Sequence, residues 1–167
     1  MLTEDRVIKV GISDLKCCKG PYRLRTSGLG SCVGVILYDS TAKIAGMAHV
    51  MLPHAALQAN KELEVPKGKY ADRAVFELVR EIKELGANVS KLQAKIAGGA
   101  QMFALRELQD AMRIGERNVT EVKRQLDKWG IPIVSEDTGG KNGRTIEFEI
   151  KTCTLHIRTV NKGVLTI

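Results

Sequence analysis

The sequence predicts an α+β fold, and three observations carry that expectation. Two apolar runs, residues 33–38 and 44–52, flank Asp39-Ser40-Thr41-Ala42, whose side chains favour a turn, and together they read as a β-hairpin. Two stretches, 70–85 and 117–129, place apolar side chains at helical spacing, and a glycine follows each. Strands at 131–135, 145–150 and 153–160 then follow in close succession, the last two alternating apolar with polar residues. This order favours mixed sheets with antiparallel neighbours over a regular βαβ repeat.

Taken in order, residues 6–12 read as a first strand. An irregular stretch holding Cys17, Cys18, Gly20 and Pro21 follows, then the hairpin. Residues 53–69 are polar, contain Pro53 and Pro66, and read as a long loop beside the second hairpin strand; loops of such length often act as lids or binding segments. In the first helix Val75, Leu78, Val79, Ile82 and Leu85 share a face, with Gly86 as the stop. A short strand at 92–97 runs into Gly98-Gly99. The second helix turns Val119, Val122, Leu126 and Trp129 inward and ends at Gly130. No repeat, low-complexity tract or linker divides residues 1–167, so a single domain is expected.

Composition narrows the function. At 167 residues and 44% hydrophobic, the chain is long enough to bury a substantial core. It has no apolar run of the ~18–20 residues that cross a bilayer and no basic-then-apolar leader, so no membrane insertion and a cytoplasmic location are expected. The four cysteines show neither metal-ligand spacing nor a disulfide framework. The net charge of +7 suits an acidic partner. Nucleic acid is disfavoured as that partner: aromatics are few, the lysines and arginines are dispersed, and no recognition motif stands out.

The chemistry concentrates in the hairpin. Pairing Tyr38 with Lys43 places Cys32 opposite His49, on one sheet face and within reach of a thiol–imidazole contact. A slip of one residue would separate them. A cysteine attacks as its thiolate and needs a neighbouring base or positive charge, and His49 is the candidate. Glycines 28, 30 and 34 leave the backbone around Cys32 uncrowded, so its N–H groups can face a developing oxyanion. The imidazole needs a third group to orient it, and Thr26, Ser27 and Ser31 are the nearby hydroxyls. On these residues alone, a Cys–His hydrolase and a structural Cys32 with a satisfied His49 both remain open. His54 and His156 read as surface or packing residues, Cys17, Cys18 and Cys153 as structural thiols, and Gly98-Gly99 and Gly139-Gly140 as turns.

Six fragments, in this order and spacing, resemble the CheD family: Thr26-Ser27-Gly28-Leu29-Gly30-Ser31-Cys32, Ala48-His49-Val50-Met51-Leu52-Pro53, Lys69-Tyr70-Ala71-Asp72, Lys95-Ile96-Ala97-Gly98-Gly99-Ala100-Gln101-Met102-Phe103, Ile114-Gly115-Glu116-Arg117-Asn118-Val119 and Ser135-Glu136-Asp137-Thr138-Gly139-Gly140. The resemblance spans nearly the whole chain. It implies an α/β/β/α sandwich with mixed sheets, similar to the catalytic domain of deamidating bacterial toxins. It further implies deamidation of glutamines on methyl-accepting chemotaxis receptors by Cys32 as nucleophile, His49 as base and Thr26 as its orienting group. Backbone N–H groups at Ser31 and Cys32 are the oxyanion candidates, and no metal or organic cofactor is required. A CheC-type phosphatase is the implied partner, bound and stimulated, with Phe103 as a candidate contact; hydrolysis of receptor methyl esters is an implied side activity. A purely regulatory binding module is the competing expectation.

Overall fold

The computed structural model describes residues 6–54, 65–102 and 113–167. Its strands are β1 (Val7–Lys9), β2 (Leu15–Lys19), β3 (Arg23–Leu29), β4 (Val33–Asp39), β5 (Ile44–Val50), β6 (Gln93–Gly98), β7 (Ile133–Thr138), β8 (Arg144–Glu149), β9 (Thr154–Thr159) and β10 (Gly163–Thr166). The helices are α1 (Ala71–Glu84) and α2 (Ile114–Lys128). One sheet runs β1-β3-β8-β9-β10, the other β2-β5-β4-β6-β7. Each is mixed: β1 and β3 pair in parallel, as do β6 and β7, and the remaining pairs are antiparallel.

The hairpin strands β4 and β5 are central, and every one of their residues is buried. A strand covered on both faces has no solvent side, so it reads as a continuous apolar run rather than an alternation. Val33, Val35, Leu37, Ile44, Ala48 and Val50 face the helices. Ile36, Tyr38, Ala45 and Met47 face the other sheet, meeting Leu24, Leu29, Ile146, Phe148, Leu155 and Ile157. α1 delivers Ala71, Ala74, Val75, Leu78, Val79 and Ile82 to the helix-side core, the stripe its periodicity foretells. Both helices cover the same sheet. The outer face of the second sheet is polar, carrying Arg25, Thr145, Glu147, His156 and Arg158, and no described helix lies on it. The α+β class and the mixed sheets stand; the second helical layer of the α/β/β/α expectation has no counterpart among the described residues.

Several local expectations are corrected. The stretch after the first strand is not irregular: it contains β2 and β3, two strands with charged residues on their exposed sides. α2 begins at Ile114, three residues before the expected start, because Gly115 packs its backbone into the turn after β6: a β-carbon there would strike the Ala100 and Gly99 carbonyls. Trp129 is 40% exposed rather than inward, with its ring 6.3 Å from that of Phe76, which is 52% exposed. Cys153 precedes β9 in a left-handed turn residue with φ of 55° instead of lying within the strand.

Gly34 shows how closely the two sheets meet. A β-carbon at this position would collide with Ile146 Cδ1 of β8 and sit 3.3 Å from Leu29 Cδ1 of β3. Both neighbours are fully buried and cannot retreat into solvent. Gly34→Ala is therefore expected to lower unfolding stability by about 1–3 kcal/mol, the usual cost of overpacking a core. The shift of the urea midpoint at unchanged m-value checks it.

Candidate active site

Thr26, Cys32 and His49 come from three different parts of the fold. Thr26 lies in β3 of one sheet and His49 in β5 of the other, while Cys32 sits in the segment through which the chain crosses between the sheets. The register differs from the sequence expectation. Asp39 pairs with Ile44, and His49 lies opposite Gly34 rather than Cys32. The turn itself explains the difference. The Asp39 carboxylate accepts the Thr41 and Ala42 N–H groups, both at 3.0 Å, so Asp39 is the last paired residue. Lys43 turns at a φ of 56°, a left-handed conformation that does not continue a ladder. The slip moves the pairing by two positions, which preserves the face. Cys32 is two residues from Gly34 and therefore shares its side of the sheet with His49, as a diagonal neighbour.

The imidazole is held across the gap between the sheets. Thr26 Oγ1 lies 2.7 Å from His49 Nδ1 and 2.7 Å from the Val10 carbonyl oxygen. A carbonyl can only accept, so the single hydroxyl proton of Thr26 goes to Val10. Thr26 Oγ1 is then left to accept from His49 Nδ1–H, which places the neutral ring's remaining lone pair on Nε2. Nε2 is buried and has no hydrogen-bond partner among the described residues. Burial also lowers the His49 pKa to about 4, so the ring is neutral at physiological pH.

Cys32 is half-buried and packs against the core between the sheets. Burial raises its pKa, and its own backbone N–H offsets part of that rise. The other thiols are further from reactivity. Cys17 and Cys18 point to opposite faces of β2, as adjacent strand residues must, so no disulfide joins them. Burial raises them to about 12 and about 11. Cys153 is also raised by burial, and its carbonyl accepts a 2.6 Å hydrogen bond from Lys95 Nζ. His156 lies near the surface, 3.5 Å from Glu149, and His54 is exposed; neither lies beside Cys32 in the two sheets. The described residues contain no cluster of three or more His, Cys, Asp or Glu arranged to hold a metal. The site thus holds a half-buried thiol and, on the same side of the sheet, a buried neutral imidazole whose Nε2 has no hydrogen-bond partner among the described residues.

Other contacts at this end of the molecule escaped the sequence reading. Asn118 of α2 donates from Nδ2 to the Ser31 carbonyl at 3.0 Å and to the Met51 carbonyl at 2.9 Å. The Gly99 N–H binds the Cys32 carbonyl and the Ala100 N–H binds the Gly30 carbonyl, each at 2.8 Å. Arg144 of β8 joins the sheets through Asp137 at 3.1 Å and the Gly98 carbonyl at 3.3 Å. The available signal was a buried-side asparagine on the apolar face of α2; its partners lie 67 and 87 residues away and no spacing rule finds them. Phe103 lies outside the described residues.

With this geometry in hand, known proteins supply the affiliation. The model of the family described as CheD chemotactic sensory transduction matches residues 51–159. The chemoreceptor glutamine deamidase CheD of Bacillus subtilis is 53% identical over 165 residues, covering 99% of this chain and 98% of its own length. That of Halalkalibacterium halodurans is 53% identical over 157 residues, 94% of this chain and 96% of its own. A probable chemoreceptor glutamine deamidase CheD of Caldanaerobacter subterraneus is 47% identical over 161 residues, 96% and 98% of the two chains. The family model begins beyond Thr26, Cys32 and His49, and the near-full-length relatives cover the span that holds them. The chain belongs to the CheD family.

Proposed function

We propose that the protein is a chemoreceptor glutamine deamidase in which Cys32 is the nucleophile, His49 the base and Thr26 the group that orients His49. Family membership supports the reaction. The observation that carries the residue roles is the Val10–Thr26–His49 hydrogen-bond chain, which commits Nδ1 as donor and leaves Nε2 as the acceptor on the face His49 shares with Cys32.

The reaction runs through a thioester. His49 Nε2 takes the Cys32 proton as Sγ attacks the carboxamide carbon of a receptor glutamine, and the carbonyl electron pair moves onto oxygen. The Cys32 N–H, with that of Ser31, is suited to receive this oxyanion. On collapse the C–N bond breaks, and the nitrogen leaves as ammonia with the proton held by His49. Water then adds to the thioester carbon as His49 removes its proton, and the C–S bond breaks to give glutamate and return the thiol. One water is consumed and one ammonia released. No redox or metal step is needed for this balance.

The two perturbed groups fit this sequence. Burial disfavours both the thiolate and the imidazolium, so a resting ion pair is disfavoured and proton transfer accompanies attack. His49 is fully buried while Cys32 is partly accessible, so a protruding side chain reaches the sulfur and the base works from beneath it. The same open face suits the implied CheC-type phosphatase partner. Met102, next to Phe103, is 48% exposed and lies against Gly30 of the Cys32 segment, so a partner seated there would compete with the receptor. Methyl-ester hydrolysis would use the same acyl-enzyme, with methanol in place of ammonia.

A receptor cytoplasmic fragment incubated with the wild type should gain the mass of amide-to-acid conversion at particular glutamines and release ammonia. Cys32→Ala should do neither, and an unchanged receptor with active wild-type protein would overturn the reading. Thr26→Val should lower kcat by ~10²-fold or more, within the range of a lost acid–base function, while Thr26→Ser keeps most of it. NMR of the imidazole nitrogens should show the Nδ1–H tautomer lost in the valine variant alone. In the free enzyme His49 is protonated only as pH falls through about 4, below the usual 6.5. The base is therefore present above that value, and the acid limb of kcat/KM is expected well under 6.5; a limb at the ordinary histidine value would contradict the buried, neutral base.

A further inference from the structure

We propose that Asn118 is a positioning residue that sets the oxyanion-binding geometry at Cys32, by holding the Ser31 carbonyl toward α2 and so turning the Cys32 N–H toward the reacting sulfur. The inference rests on the cysteine acyl-transfer reading above and adds a residue to which that reading gives no part.

The Ser31–Cys32 peptide is trans and planar. In a trans peptide the C=O and the following N–H point in opposite directions, so fixing one fixes the other. Asn118 Nδ2 binds the Ser31 carbonyl at 3.0 Å, and the Cys32 N–H belongs to that same peptide. It therefore faces away from α2. This direction is consistent with the Cys32 N–H acting to lower the pKa of its own thiol against the rise that burial causes. The peptides on either side are pinned as well, through Ala100 N–H to Gly30 O and Gly99 N–H to Cys32 O. Of the three successive carbonyls, only that of Ser31 depends on a side chain.

The second donor of Asn118 reaches the Met51 carbonyl, two residues beyond His49. A single amide thus fastens the nucleophile segment to the end of the histidine strand. The amide cannot be turned over, because both neighbours are acceptors and need Nδ2. That leaves Oδ1 buried with no partner among the described residues, in a side chain with no exposed surface. A core optimised for stability alone has no use for an orphaned carbonyl oxygen at this position. Here it is the consequence of needing two donors at one point. Helix α2 can bring them there because Gly115 and Gly99 let its first turn touch the loop after β6.

The test separates acylation, which passes through an oxyanion, from alkylation, which does not. The probes are p-nitrophenyl acetate, followed by the p-nitrophenol burst, and iodoacetamide, followed by mass at Cys32. Neither needs a receptor, so the result stands apart from whether receptor glutamine is the natural substrate. In Asn118→Leu, and in Asn118→Asp as a near-isosteric variant lacking both donors, Cys32 should be alkylated at close to the wild-type rate. Its acylation rate should fall about 10²–10³-fold, the effect of losing an oxyanion donor. With a receptor fragment the fall should appear in kcat with KM little changed. Equal losses of acylation and alkylation in both variants would make Asn118 a mere support for the fold or the thiol and overturn the proposal. So would acylation at the wild-type rate, or failure of wild-type Cys32 to be acylated at all. Should the wild type be acylated and respond to Asn118 as expected, yet leave receptor glutamines untouched, the deamidase reading fails and the role of Asn118 stands.

Discussion

The hydrogen bond between Thr26 and His49 joins the two sheets at the candidate site, and the arrangement of that site depends on it. Its strength as an organising contact comes from the third member, the Val10 carbonyl, which takes the only proton Thr26 has to give. A hydroxyl with its proton already committed can only accept, so the imidazole has one tautomer compatible with its surroundings. A carboxylate in the same place would hold the ring more tightly but would also stabilise its charged form. The neutral hydroxyl orients without charging, in keeping with a ring whose pKa burial has lowered to about 4.

That constraint is set by layers. Two sheets face each other, and their shared core runs from Leu24 and Phe148 on one side to Ile36 and Met47 on the other. Gly34 opposite His49 lets Ile146 approach, and Arg144 with Asp137 ties the sheets at the same end. The chain passes from one sheet to the other through Gly30, Ser31 and Cys32. A crossing segment has no strand partners along its length, so its carbonyls find others: the turn after β6 and the side chain of Asn118. Cys32 is thereby displayed from a fixed backbone on a segment that a sheet ladder would otherwise have buried. Cys17 and Cys18 make the contrast, since strand pairing and two cores enclose them and burial raises both thiols beyond use.

Much of the frame was legible along the chain. The stripe of Val75, Leu78, Val79 and Ile82 places α1, the paired apolar runs place β4 and β5, and the alternation of residues 145–150 and 153–160 places the strands of the half-solvated sheet. The reading failed where the signal is weak or non-local. β2 and β3 carry lysines and arginines on their outward sides and border glycine and proline, so they resemble a connection. Trp129 follows the helical period yet lies exposed beside Phe76, because it is the C-cap residue of α2, where the helical period no longer sets the side chain's direction. The hairpin register was off by two positions because the Asp39 carboxylate, binding two turn amides, ends the ladder one residue later than a four-residue loop at 39–42 suggests.

By itself the sequence singled out Cys32 and His49 as candidates and determined that they share a face, since strand side chains alternate and a slip of two leaves the face unchanged. It also determined the family, through fragments whose order and spacing extend over nearly the whole chain. Tertiary structure alone decided the partner and tautomer of His49, the burial that favours the neutral thiol and imidazole, and the hold of Asn118 on the Ser31 carbonyl. Each of these depends on atoms brought together from distant strands and helices. Hydrogen-bond direction and desolvation are properties of that assembled environment, and no local pattern along the chain encodes them.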